Sequence, residues 1–162
     1  MYISEKMEQA LSAQVNAEVA SAYLYQSMAA WLDASNLPGC AHWMKKQAEE
    51  ELEHAEKIYD FVYDRGGKVV YGAIEAPQTE WKNALALFEH VLEHEQKVTG
   101  LIYGLVDLAI ELKDHATKNM LNWFLTEQVE EEKNATEVLG KFKSMGTSGI
   151  ALSHIDKELA TR

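Results

Sequence analysis

Cysteine is almost missing from this chain: Cys40 is the only one in 162 residues. That excludes an intramolecular disulfide and any Cys-x-x-Cys site, and leaves Cys40 a packing role early in a helix. Proline is nearly as scarce, with two, while Ala, Glu, Leu and Lys dominate, which favours an all-α fold. Positive charge is short as well. Lys and Arg number 15 against 26 Asp and Glu, for a net charge of −11. No basic run is present to hold a phosphate backbone, so no nucleic acid is expected as a partner. The longest apolar stretch, Gly100 to Ile110, contains Asp107 and is too short to span a bilayer, so no membrane is expected either. The chain opens with Glu5 and Glu8 instead of a basic-then-apolar signal layout, and the expected location is cytoplasmic.

What is present is helical periodicity, four times over. Apolar positions recur by three and four along Leu11, Val15, Ala22, Tyr25, Ala29 and Leu32, and along Met44, Ile58 and Phe61. They do so again along Phe88, Val91, Val98, Ile102, Leu105 and Ala109, and along Leu121, Phe124, Ala135, Val138 and Phe142. Each stripe is the buried face of a bundle helix. Asn36-Leu37-Pro38-Gly39 separates the first two, Gly66-Gly67 closes the second with Arg65 near its negative end, and Gly146 to Gly149 ends the fourth. The boundary near Leu112 to His115 has neither glycine nor proline and is the weakest. The spacing predicts a single domain over 1–162: a four-helix bundle over about 5–145, then a short fifth helix over about 148–159. Leu152, Ile155 and Leu159 on that fifth helix call for a partner surface. Short links make helices one and two antiparallel, and likewise three and four. The connector over 66–82 reaches roughly 55 Å at about 3.3 Å per residue. A helix of some 28 residues measures only about 42 Å. A lengthwise crossover between helices two and three is therefore expected.

Every stripe is interrupted in its middle by polar residues. Glu18, Glu51 and His54 recur as Glu95, Gln128 and Glu131, each displaced by 77 positions. Counting outward from the two short turns puts Glu18 level with Glu51, and Glu95 level with Gln128. With a lengthwise crossover all of them meet at mid-bundle. An unpaired ionised carboxylate in a core costs several kcal/mol even after relaxation, and no Lys or Arg shares these stripes. Four carboxylates neutralise two divalent ions. Carboxylates with one imidazole suit iron or manganese, and the lack of thiolates argues against structural zinc. A Glu from each of two helices plus Glu-x-x-His motifs on the other two is the general ligand set of di-iron carboxylate bundles. Here Glu51-Leu52-Glu53-His54 is complete, whereas its echo reads Gln128-Val129-Glu130-Glu131. The site is then lopsided. Glu18, Glu51 and His54 form one metal position with Glu51 bridging; Glu51, Glu95 and Glu131 form the other, where Gln128 is a weak ligand. Such asymmetry favours a site through which oxidised iron passes.

These segments carry a resemblance. Asn16-Ala17-Glu18, Gln47-Ala48-Glu49-Glu50-Glu51 with His54, His94-Glu95-Gln96 and Glu127-Gln128-Val129-Glu130-Glu131-Glu132 resemble the bacterial and archaeal non-haem ferritins, and Ile155-Asp156-Lys157-Glu158-Leu159 is similar to their short fifth helix. The likeness covers essentially the whole chain. It implies a ferroxidase that oxidises Fe(II) with dioxygen or peroxide and stores ferric mineral in a shell of 24 identical subunits. It places two iron ions on Glu18, Glu51, His54, Glu95 and Glu131, with Gln128 close by. A third position, on the exit side, would correspond to Glu50, Glu127 and Glu130. The family's tyrosine beside the centre matches Tyr25, which either hydrogen-bonds a ligand or supplies an electron, or else is a packed aromatic with a satisfied hydroxyl.

Related families leave other marks. Bacterioferritin would show Glu-x-x-His in both halves and a haem-binding Met just after the bridging Glu; here that residue is Leu52, and no haem is expected. Rubrerythrin-like peroxidases need a four-cysteine iron site. The small DNA-protecting relatives place iron between subunits and lack the fifth helix. A di-iron oxygenase fits the ligands alone, but would need a substrate pocket and an electron donor. A purely structural bundle leaves the mid-stripe carboxylates unexplained. His42, His90, His94, His115 and His154 lie off the stripes or near ends, which suits solvated or supporting roles, and Trp123 beside Phe124 suits packing. Glu49, Glu53, Glu56 and Glu132 form either a solvated face or a route to the cavity.

Overall fold

The structure, a computed structural model, describes residues 2–162. It contains five helices: α1 (Glu5–Ala34), α2 (Pro38–Asp64), α3 (Ala84–Glu111), α4 (His115–Met145) and α5 (Gly149–Leu159). No strand occurs among the described residues. Local chemistry starts most of them. Ser4, Asn83, Asp114 and Ser148 each accept a hydrogen bond from a backbone N–H in the first turn of α1, α3, α4 and α5 respectively. The first three helices end in one way, with a residue in the left-handed region: Asn36 (φ 59°), Gly66 (φ 72°) and Lys113 (φ 54°). The following N–H bonds back into the last turn, Leu37 to Leu32, Gly67 to Val62 and Asp114 to Ala109. At the third turn a lysine does what glycine usually does. Arg65 lies 3.1 Å from Asp114 and so ties the end of α2 to the start of α4.

The connector over 65–83 does cross lengthwise. It starts beside the first turn of α1, where the Ile3 N–H donates to the Arg65 carbonyl. It then follows the outer side of α1. Ser12 donates to the Lys68 carbonyl, Asn16 accepts from the Gly72 N–H, Ser27 donates to the Gln78 carbonyl, and Trp31 packs edge-on against Trp81. α3 therefore starts at the end where α1 finishes and runs parallel to α2. α1 packs on α2, α3 on α4, and α1 also on α3.

α5 folds back onto its own bundle. Ile155 and Leu159 are buried in the core formed with α1 to α4, and Leu152 is partly buried against it. The apolar face expected to need a partner surface is thus largely covered by its own chain. What stays bare on this helix is Ile150, 87% exposed. Seating α5 solves a second problem. α2 begins at Pro38 after Leu37, which offers no side-chain cap, and the Asp156 carboxylate accepts from the Cys40 N–H at 2.8 Å instead. Gly39 makes the approach possible, since a Cβ there would stand 1.8 Å from the Asp156 carbonyl oxygen.

The core is in two parts. One apolar cluster runs from Ala22 and Leu32 through Met44, Phe88 and Phe142 to α5. The other joins Met7, Leu11, Val15, Ile58, Ile102, Leu121 and Phe124. Between them lies a buried belt of Gln14, Glu18, Gln47, Glu51, His54, Glu95, Gln128 and Glu131.

Candidate metal centre

All four long helices supply that belt. α1 gives Glu18, α2 gives Glu51 and His54, α3 gives Glu95, and α4 gives Gln128 and Glu131, each between 0% and 4% exposed. Among the described residues two groups have the spacing a metal ion needs. Glu18, Glu51 and His54 bring ligand atoms within 4.8 Å of one another, and so do His54, Glu127 and Glu131. Glu95 belongs to neither group. It turns toward Tyr25, whose hydroxyl donates to Glu95 Oε1, while the Gln128 amide reaches Glu95 Oε2 at 3.3 Å.

The hydrogen bonding is uneven across the site. Glu18 Oε1 accepts from Gln14 Nε2 at 2.9 Å, and Glu131 Oε2 accepts from Gln47 Nε2 at 2.9 Å. Glu18 Oε2, Glu51 Oε2 and Gln47 Oε1 are fully buried and make no hydrogen bond among the described residues, although Glu51 Oε2 lies 3.6 Å from His54 Nδ1. Buried oxygens are ordinarily satisfied, and an orphan costs about 1–3 kcal/mol, more when charged. Burial drives the carboxyls upward. Desolvation and the neighbouring Glu51 charge raise Glu18, while desolvation and Glu95 raise Glu51. Desolvation also raises Glu95, and with the Glu95 charge it lifts Glu131 to about 7. Several carboxyls that a buried site keeps from ionising without a counter-charge are what a dication relieves. The donor set of oxygens and one imidazole fits iron.

Three supporting roles escaped the sequence reading, although Gln47 itself stood in the family-like segment ahead of Glu51. Gln14 and Gln47 sit one turn before Glu18 and Glu51 and hold Glu18 and Glu131. Thr99 accepts from Gln128 Nε2 at 3.2 Å and lies 2.6 Å from Glu132. The 77-position echo passes over the two glutamines, because their counterparts are Val91 and Phe124. The sign available was their four-residue spacing ahead of a buried Glu.

Around the centre, Tyr25 is wholly buried, and burial and the Glu95 charge push its hydroxyl pKa well up. Its ring meets His94 edge-on at 5.7 Å, and His94 Nε2 sits 2.8 Å from Ser21 Oγ. Burial lowers His94 to about 4, which keeps that imidazole neutral. Trp123 packs edge-on against His54 at 5.5 Å and against Phe124 at 4.8 Å. Glu50, Glu53, His54, Lys57, Trp123 and Glu127 line a depression of about 260 Å³ between α2 and α4 that leads onto His54. Glu50 and Glu127, two of the three residues expected to form a third position, line that depression. Glu127 Oε1 lies 3.7 Å from His54 Nε2, Glu130 is exposed, and Glu50 pairs with Arg162 at 2.6 Å.

A family model described as a ferritin-like domain matches residues 8–145. The chain belongs to the ferritin family. Among curated relatives, a bacterial non-heme ferritin of Bacteroides fragilis is 42% identical over 160 residues, 99% of each chain. One from Staphylococcus saprophyticus is 41% identical over 99% of this chain and 96% of its own. Among solved structures, the open-pore ferritin of the hyperthermophilic archaeon Archaeoglobus fulgidus superposes with a TM-score of 0.98 at 50% identity, covering 100% of this chain and 99% of that one. The ferritin fold of these relatives thus extends through α5, past the end of the family match. No helix among the described residues is long and apolar enough to cross a membrane.

Proposed function

We propose that this ferritin oxidises Fe(II) at a dinuclear centre inside the bundle, with dioxygen or peroxide as acceptor, and stores the ferric oxyhydroxide inside a homo-oligomeric protein shell. The observation that carries the reading is the set of orphaned oxygens, Glu18 Oε2, Glu51 Oε2 and Gln47 Oε1, in a core that offers no Lys or Arg to any of them. A small cation brought from outside would answer all three at once. The A. fulgidus neighbour, described as an open-pore ferritin, and the bacterial relatives support the storage half.

Iron is here the substrate. Glu18, Glu51 and His54 take the first Fe(II); Glu51, Glu95 and Glu131, with Gln128 beside them, take the second. Each ion gives one electron to the acceptor. Binding displaces the protons that burial holds on the carboxyls. Tyr25 orients Glu95 through its hydroxyl. Gln128, a neutral amide, lets the oxidised ion leave toward Glu50, Glu127 and Glu130. A shell of 24 subunits, a cytoplasmic location and one functional unit over 1–162 belong to the same proposal.

Aerobic addition of Fe(II) followed by size exclusion tests both halves. Ferric absorbance should rise faster than in buffer, and iron should co-elute with a large assembly. No acceleration over buffer removes the catalytic half. Elution as an iron-free monomer or dimer removes storage.

A further inference from the structure

Among the residues proposed to hold the ions, Gln128 alone ends in an amide, and the two ends of an amide differ: an oxygen that can bind metal and an NH2 that cannot. Every hydrogen bond its side chain makes among the described residues leaves from Nε2, to the Glu95 carbonyl at 3.3 Å, to Glu95 Oε2 at 3.3 Å and to Thr99 Oγ1 at 3.2 Å. The nitrogen thus faces α3, and Oε1 is the free end. Thr99 and Glu132 stand one helical turn beyond, Thr99 four residues after Glu95 and Glu132 four after Gln128. A hydroxyl has one proton and two lone pairs. Thr99 Oγ1 lies 3.0 Å from the Glu95 carbonyl and 2.6 Å from Glu132 Oε1, and the shorter contact has the length of a hydroxyl donating to a carboxylate. With its proton there, Thr99 offers Gln128 only lone pairs. An amide turned the other way would set Oε1 against three acceptors.

We propose that Glu132, acting through Thr99, is the positioning residue that keeps the oxygen of Gln128 turned to the second metal position. Without Glu132 the Thr99 proton is free to turn to Gln128 and bond Oε1, which would leave the NH2 facing the ion. The 77-position echo supports this division of labour. The counterparts of Thr99 and Glu132 are Ala22 and Ala55, both buried and without a side-chain polar atom. There the ligand is Glu51, the counterpart of Gln128, and a carboxylate with two like oxygens needs no orienting. The hydroxyl and its carboxylate stand only in the half that carries an amide. The inference rests on the dinuclear reading above.

Zn(II), which cannot be oxidised, is the probe, titrated calorimetrically into the metal-free full chain. The wild type should take up two ions per subunit, the first more tightly. In E132A the second ion should bind about threefold more weakly, the worth of one neutral hydrogen bond, while the first is unmoved. E132Q drops the charge but keeps an oxygen to accept from Thr99, and should bind the second ion as the wild type does. In a T99V background E132A should cost nothing more, because its route to Gln128 is gone. Equal weakening in E132A and E132Q would mean that Glu132 acts by charge alone, and overturns the positioning role. So does a second-ion affinity unchanged in E132A, a loss shared equally by both ions, or a loss that adds in full to that of T99V. Absence of a second ion from the wild type overturns the dinuclear reading itself, and the positioning role with it.

Discussion

The two halves of the bundle hold the same belt of polar residues in different states. In the α1–α2 half, Glu18, Glu51 and Gln47 each present an oxygen without a hydrogen bond among the described residues. In the α3–α4 half the carboxylates are already engaged, Glu95 by Tyr25 and Gln128, and Glu131 by Gln47. A metal entering the first half gains contacts at oxygens that have no hydrogen bond. One entering the second must first displace hydrogen bonds. The difference teaches that lopsidedness is built into the supporting contacts as well as the ligands: the first position should fill first and hold hardest, and the second should exchange.

The largest break should come from Glu51→Ala, because Glu51 is the residue both proposed positions share. Losing a supporting partner of a metal ligand costs about 10–100-fold, so losing this ligand should slow the fast phase of Fe(II) oxidation by at least about a hundredfold. Stopped-flow absorbance would show it, and a surviving fast phase would mean the halves work independently.

Next comes pH. Burial raises Glu18, Glu51 and Glu95, and lifts Glu131 from 4.5 to about 7. A carboxyl with a higher value folded than unfolded binds its proton more firmly when folded. Its stabilisation is full below 4.5 and is lost as pH rises through about 7. The metal-free protein should therefore lose several degrees of melting temperature across that window, and Zn(II) should flatten the slope. A metal-free melting temperature that climbs from pH 4.5 to 7 would contradict the burial of these groups.

Gln128→Glu should make the halves more alike. It adds a charged ligand and removes the amide donor that engages Glu95. Oxidation should persist, while release of the oxidised ion, followed with a ferric chelator, slows roughly tenfold. Equal release rates would show that Gln128 does not set the asymmetry. Thr99→Val should have the smallest effect. It removes a hydroxyl that positions Gln128, and about a threefold change in second-ion affinity is expected for one neutral hydrogen bond. First-ion affinity should not move.

Some of this was legible because helices obey a local rule. A period near 3.6 put Glu18, Glu51, Glu95 and Glu131 on buried stripes, and two short turns fixed their heights. A charged residue on such a stripe is conspicuous. The supporting roles of Gln14 and Gln47 were not, because an uncharged amide breaks no rule and neither has a polar echo. Lys113 hid the third turn, since nothing in a lysine announces a left-handed residue. The fifth helix was visible as a pattern, but its seat was not.

By itself, then, the sequence determined the helices, their order, the lengthwise crossover and the level at which the carboxylates gather. These follow from periodicity and connection length, which are properties of neighbouring residues. Only the tertiary structure decided which oxygens at that level are bonded and which are bare. It alone brought Asp156 to cap α2 across Gly39, turned Glu127 toward His54 and placed Arg162 on Glu50. Those outcomes depend on side-chain atoms within about 4 Å of one another from helices far apart in the chain, and no local period encodes so short a distance.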